Sequence, residues 1–263
     1  MAEKYTSLIA LVVDRPVEDV GAVVDAARVA GDVDRTAPVG TAAEAQEVAW
    51  GGRMGKAVVR AVEGQDGAPM LRAETYIGAE GLRNGMRRHA QLLLSLARQL
   101  GDRVRGVRDL SAAQDHETGW LARVSGGDVQ ASDAIHVHTE GQDTYWVHSH
   151  GAARFDIPDL ELYGVNRSQL AAAQELIRHV HDQLLRAGLR ADLTMPDGTP
   201  IYLVPVVEAW SKLPMDWPGV GRADESRPGH DGPRATLSVL HKRRFGRYRK
   251  DIKGVVKRLA SER

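Results

Sequence analysis

The chain has 263 residues, 43% of them hydrophobic and 27% charged, with no cysteine and a formal net charge of zero. That is enough apolar material to fold one large domain or two small ones. The composition excludes a disulfide framework, a thiolate nucleophile and a sulfur-ligated zinc site; no run of about eighteen apolar residues marks a membrane span, and a reducing cytoplasm is the expected setting.

The opening segment MAEKYTSLIALVVDRP ends its short apolar run at Asp14 and Arg15, so Leu8–Val13 reads as a first strand and not as a signal peptide. Pro16 suits a first helical position, and Val17, Val20, Val24 and Ala27 recur at helical spacing. Residues 31–55 are rich in Gly, Ala and Asp and carry no clear period. Lys56–Val62 and Met70–Ile77 read as strands around an EGQDGAP turn. A long helix follows, with Leu82, Met86, Ala90, Leu93, Ala97 and Leu100 on one stripe and Gly101 as its stop. Arg103–Leu110 is then a further strand.

The second half repeats this order. A histidine-rich hairpin spans 134–150, a strand lies near Leu160–Val165, and a helix runs from about Ser168 to Ala187, stopped by Gly188. Ile201–Trp210 reads as a strand after it. The expected fold is therefore α+β: two strand-strand-helix-strand halves, with antiparallel or mixed sheets each covered by one long helix. The expected boundaries are 1–125 and 126–210 for the halves, a Pro/Gly-rich linker or ordered surface excursion over 211–235, and a basic tail over 236–263. Trp217 argues for docking of the excursion.

Four of the ten histidines, at 136, 138, 148 and 150, lie in AIHVHTEGQDTYWVHSHG. With a Gly141-Gln142-Asp143 loop, His136 lies opposite His148, and all four rings share a face with Trp146. Ile135, Val137, Tyr145 and Val147 then fill the other face. Imidazoles so placed suit a divalent metal, with His136, His138, His148, His150 and Asp159 as candidate ligands. The plainer alternative is a polar or semi-buried sheet face, or one that responds to pH. His148, His150 and Asp159 also resemble in outline the metal ligands of deubiquitinase-like proteases, at shorter spacing and without an upstream glutamate placed as base. His179 and His181 are two apart on a helix, so they diverge.

The stretch from Trp146 to Val165, WVHSHGAARFDIPDLELYGV, resembles a motif of uncharacterised bacterial conserved proteins. In that family W-x-H-T/S-H-G leads into R-F-x-x-P-[DE]-L-E and then a long helix. The resemblance implies a domain of unknown function with no established activity. Asp156 stands where the resemblance implies glycine, and the basic tail is an addition to it. Read from alternation alone, Asp159 and Glu161 belong to a half-exposed strand; alternatively they line a cleft with Arg154 and the histidines.

Charge is unevenly spread. From His241 to Arg263 there are ten Lys/Arg against two acidic residues, a net +8, leaving the preceding 240 residues at net −8. Lys242, Arg243, Arg244, Phe245, Arg247, Tyr248, Arg249, Lys250 and Lys253 interleave cations that attract phosphates with aromatics that can stack on exposed bases, a pattern that fits nucleic-acid binding. Tyr248, Ile252, Val255 and Leu259 fall on one helical stripe, which also fits docking on the body, a membrane or a partner protein. Gly51-Gly52-Arg53-Met54-Gly55-Lys56 lacks the spacing and trailing hydroxyl of a phosphate loop and reads as a turn. These features favour a non-enzymatic binding or regulatory protein with no required cofactor, whose tail meets RNA, ribosome or DNA; self-association is left open. The alternative is a metal-dependent hydrolase on the histidine face, with Asp159 or Glu161 beside the ligands.

Overall fold

The structure is a computed structural model that describes residues 5–40, 43–50, 55–221, 232–242 and 247–259. The fold is α+β, with two sheets, and the chain divides into two units between Ala134 and Ile135.

In the N-terminal unit the elements follow as β1 (Ser7–Val13), α1 (Val20–Val29), β2 (Arg35–Pro38), β3 (Ala45–Trp50), β4 (Gly55–Glu63), β5 (Pro69–Thr75), α2 (Gly81–Leu100), β6 (Val104–Asp109), β7 (Gln114–His116) and α3 (Gly119–Ser125). They build one antiparallel sheet in the order β2-β3-β4-β5-β1-β6-β7. Ile9 and Leu11 of β1 are fully buried, as a central strand requires. The helix expected from Pro16 begins instead at Val20, because Asp19 holds an extended backbone and its carboxylate accepts the Ala22 N–H at 3.0 Å. Residues 31–55, unreadable by period, supply β2 and β3; the segment 51–54 lies outside the described residues. Helix α2 closes at Gly101 in a positive-φ conformation, as expected.

The unit boundary falls nine residues beyond the expected 125/126, for a local reason. Asp133 accepts from the Trp120 indole at 3.1 Å, from Arg123 Nη1 at 3.0 Å and from the Gln130 N–H at 2.8 Å. The segment after α3 is thereby tied back to α3.

The C-terminal unit contains β8 (His136–Gly141), β9 (Tyr145–His150), β10 (Asp159–Val165), α4 (Leu170–Ala187), β11 (Tyr202–Pro205), α5 (Val206–Trp210), β12 (Arg234–Lys242), β13 (Tyr248–Asp251) and α6 (Ile252–Leu259). The sheet order is β11-β12-β10-β9-β8, with β13 paired to β12. Among the described residues only β10 and β12 run parallel, so the sheet is mixed. Helix α4 packs on β8, β9 and β10, burying Ala173, Leu176, Ile177, Val180 and Leu184, and Gly188 ends it at φ 68°.

Two expectations change here. Ile201–Trp210 is not one strand: it turns after Pro205 into α5, burying Val206 and Ala209. The segment after 236 is not a helical appendage either, since β12 lies within the sheet and α6 buries Ile252, Val255, Val256 and Leu259. The apolar stripe read from the sequence is real, but Tyr248 is not on it; it sits in β13 and is 61% exposed. Among the described residues no helix is long and apolar enough to cross a membrane.

Candidate functional site

The histidine hairpin forms with a register two residues from the expected one. His136 pairs with His150 and His138 with His148, and Gln142-Asp143-Thr144 makes the loop. A slip of two preserves the face, so the four imidazoles still share it with Trp146 and Glu140. His148 and His150 are buried, while His136 and His138 are half-buried. Their rings meet one another: His136–His138 and His138–His150 edge-on at 4.4 and 4.6 Å, and His138–His148 stacked at 5.6 Å. The Trp146 ring lies 3.7 Å from that of His148, whose Nε2 is 3.7 Å from a Glu140 carboxylate oxygen. Among the described residues no three His, Asp or Glu side chains are arranged to hold a metal ion.

Asp159, the fifth candidate ligand, is drawn elsewhere. Its Oδ1 accepts the Ala152 N–H at 3.0 Å and lies 3.4 Å from Ser149 Oγ. Ser149 points away from the histidines toward α4, where its hydroxyl accepts the Leu160 N–H at 2.8 Å and sits 2.8 Å from His181 Nε2. Burial pushes the Asp159 carboxyl up to about 8, reinforced by the neighbouring Glu161 charge and opposed by the Ala152 N–H and Arg154. Burial alone pulls His181 down to about 3, so its ring is neutral. Serine, histidine and aspartate thus meet, but the serine lies in the middle and all three are sealed from solvent. A hydrolytic triad needs the histidine in the middle and an accessible hydroxyl. This cluster is a buried polar tie between the sheet and helix α4.

The half-exposed strand read at 159–162 is also corrected. Asp159 and Glu161 are both 0% exposed; Asp159 takes its donors on Oδ1, and both oxygens of Glu161 accept internal hydrogen bonds. Glu161 Oε2 accepts from the Trp146 indole at 2.9 Å and from the Tyr163 hydroxyl, and Oε1 accepts from Arg234 Nε at 2.5 Å. The Trp210 indole donates to the Tyr163 oxygen at 2.9 Å, and the Arg234 guanidinium lies 5.7 Å over the Trp210 ring. Burial raises the Glu161 carboxyl, against the pull of Arg234 and the donors; burial and the Glu161 charge hold the Tyr163 phenol well above its usual range. Turns at 211–221 then cover this network. Gly219 and Gly164, both at positive φ, lie so close to Trp146 and Trp217 that a Cβ would strike the rings at 2.3 Å. Residues 211–221 are therefore docked on this unit. Arg154, 1% exposed, stacks its guanidinium 5.6 Å over Phe155.

The basic segment behaves differently. Arg243, Arg244 and Phe245, with the side chain of Lys242, lie outside the described residues. Arg247, Tyr248, Arg249, Lys250 and Lys253 are exposed. An open cleft of about 650 Å³ is lined by Arg249, Lys250, Lys253 and Lys212, by Glu208 and Asp251, and by an apolar floor of Leu213 and Ile252. Three of its cations are held in place. Lys250 donates to the Leu203 carbonyl at 3.1 Å, Lys253 lies 5.2 Å over Trp217, and Lys212 pairs with Glu208 at 2.5 Å. Lys212 and, further off, Lys250 hold the Glu208 carboxyl below its usual range. Sequence reasoning missed Lys212 and Glu208, which are remote from the tail and come beside it only through α5.

Residues 133–212 match the family model described as protein of unknown function (DUF4026), C-terminal. The uncharacterised-domain resemblance carried by the Trp146–Val165 stretch is thus supported by a match over a longer segment. No curated protein and no solved structure matches the chain. The DUF4026 segment starts beside the unit boundary and takes in β8 to α5; β12, β13 and α6 lie beyond it. Within the segment, Trp146, Ser149, Asp159 and Glu161 are all engaged in buried hydrogen bonds.

Proposed function

We propose that this is a non-enzymatic binding protein of the cytoplasm, whose exposed C-terminal cations contact a nucleic acid, as RNA, ribosome or DNA. The observation that carries this reading is the cleft in which Arg249, Lys250, Lys253 and Lys212 converge with only two carboxylates, Glu208 and Asp251, against them. Phosphates supply sequence-independent attraction to such a surface, and released counterions make it salt-dependent. The cysteine-free composition supports the cytoplasmic setting. The binding reading is preferred to the hydrolase alternative because Glu161 is engaged by Trp146, Tyr163 and Arg234, and Asp159 Oδ1 by the Ala152 N–H, all within the protein.

The test is fluorescence anisotropy of labelled RNA and DNA with the full chain. Binding that weakens steeply between about 50 and about 200 mM salt, and that Arg249→Glu with Lys250→Glu abolishes, is the expected result. Salt-insensitive binding, or none, would remove the reading. Deleting 241–263 is not a clean test, because it strips β13 and α6 from the folded unit.

A further inference from the structure

The site couples its charges to aromatic and apolar surface. Tyr248 begins β13 at 61% exposure, with Arg247, Arg249 and Lys250 exposed beside it. Pairing of Tyr248 with Lys242 and of Lys250 with Leu240 holds this stretch extended, so Tyr248 and Lys250 project from the same face of the strand. Beyond them the cleft floor is Leu213 and Ile252, and Lys253 lies over the half-buried Trp217 ring. A purely electrostatic surface for duplex phosphates needs no exposed aromatic and no apolar floor.

Size points the same way. A cleft of about 650 Å³ falls in the range of sites for small organic molecules, roughly 300–1,000 Å³. It accommodates splayed nucleotide units and not the width of a double helix. A single strand offers its phosphates and its base faces together, whereas a duplex hides the base faces in its own stack.

We infer that the cleft and Tyr248 together select unpaired nucleic acid over duplex, an inference that rests on the nucleic-acid reading above. Arg249, Lys250 and Lys253 hold phosphates, and Tyr248 provides a face on which an unpaired base stacks. Base–aromatic stacking is lost on truncation to alanine and kept by another flat ring.

The experiment measures anisotropy of one short labelled strand, alone and annealed to its complement, with the full chain as wild type, Tyr248→Ala and Tyr248→Phe. Wild type binds the single strand at least about tenfold more tightly than the duplex. Tyr248→Ala weakens single-strand binding about tenfold and leaves duplex binding unchanged, and Tyr248→Phe stays within about twofold of wild type. Equal affinity of wild type for both forms, or an equal or absent effect of Tyr248→Ala on both, overturns the selectivity. Failure of the wild type to bind either form overturns the nucleic-acid reading itself. Because Tyr248 is exposed, unchanged thermal melting of both variants confirms that they are folded.

Discussion

The indole of Trp146 donates to the carboxylate of Glu161 at 2.9 Å, and this one bond joins the two ends of the W-x-H-S-H-G to D-L-E stretch across strands β9 and β10. Around it Tyr163, Arg234 and Trp210 complete a closed polar network. Such a network holds a fold in register; its carboxylate has no accessible face for chemistry.

Arg234 is the partner whose loss does most damage. Its side chain is 8% exposed and that of Glu161 0%, so removing the cation strands a buried carboxylate. Arg234→Ala is expected to cost about 3–5 kcal/mol. Glu161→Gln in that background recovers part of the loss, because it removes the uncompensated charge. Urea unfolding of the two variants checks the order.

Stability depends on pH through Asp159 and His181, with opposite signs. Asp159 titrates near 8 when folded against 3.8 ordinarily, so its contribution is fully present below about 3.8 and is lost as pH rises toward 8. His181 titrates near 3 when folded against 6.5 ordinarily, so its contribution is present above about 6.5 and is lost as pH falls toward 3. The two terms together favour a stability maximum in the mildly acidic range. Asp159→Asn is expected to flatten the alkaline limb of a melting-temperature profile, and His181→Gln the acid limb, each relative to wild type.

Asp156 sits at φ 60° and ψ 26°, the left-handed region, at the position where the family resemblance implies glycine. Asp tolerates this conformation better than most residues, and glycine does so without strain. Asp156→Gly is expected to be more stable than Asp156→Ala by about 1 kcal/mol. Thermal melts of the pair test this ordering.

The last helix separates folding from binding. α6 buries Ile252, Val255, Val256 and Leu259, whereas Arg249 and Lys250 are exposed. Val255→Asp is expected to lower the melting temperature by more than about 10 °C. Arg249→Glu with Lys250→Glu is expected to leave it within a few degrees. Calorimetry on the full chain checks both.

Much of this was legible in the residues. Period and caps located α2 and α4 closely, since Gly101 and Gly188 mark their ends and the stripes are long. The four-histidine face was legible because a face survives an error of two in register. Burial of Glu161 was not, since alternation cannot distinguish a strand face in water from one covered by turns at 211–221. Arg234, its counter-ion, lies 73 residues away in sequence. The pairing of Ser149 with His181, 32 residues apart, is also non-local: the two motifs read separately gave no sign that α4 crosses β9 there. Short β2 (RTAP) and β3 (AQEVAW) escaped because strands with so few apolar residues depend on their neighbours for definition.

The most direct measurement is the salt dependence of single-stranded nucleic-acid binding by the full chain. If Arg249, Lys250 and Lys253 each neutralise a phosphate, the plot of log affinity against log salt has a slope of about −2 for a single strand, and Arg249→Glu with Lys250→Glu reduces it to about −1 or less or abolishes binding. A slope near zero, or one that the charge reversals leave unchanged, would contradict the account.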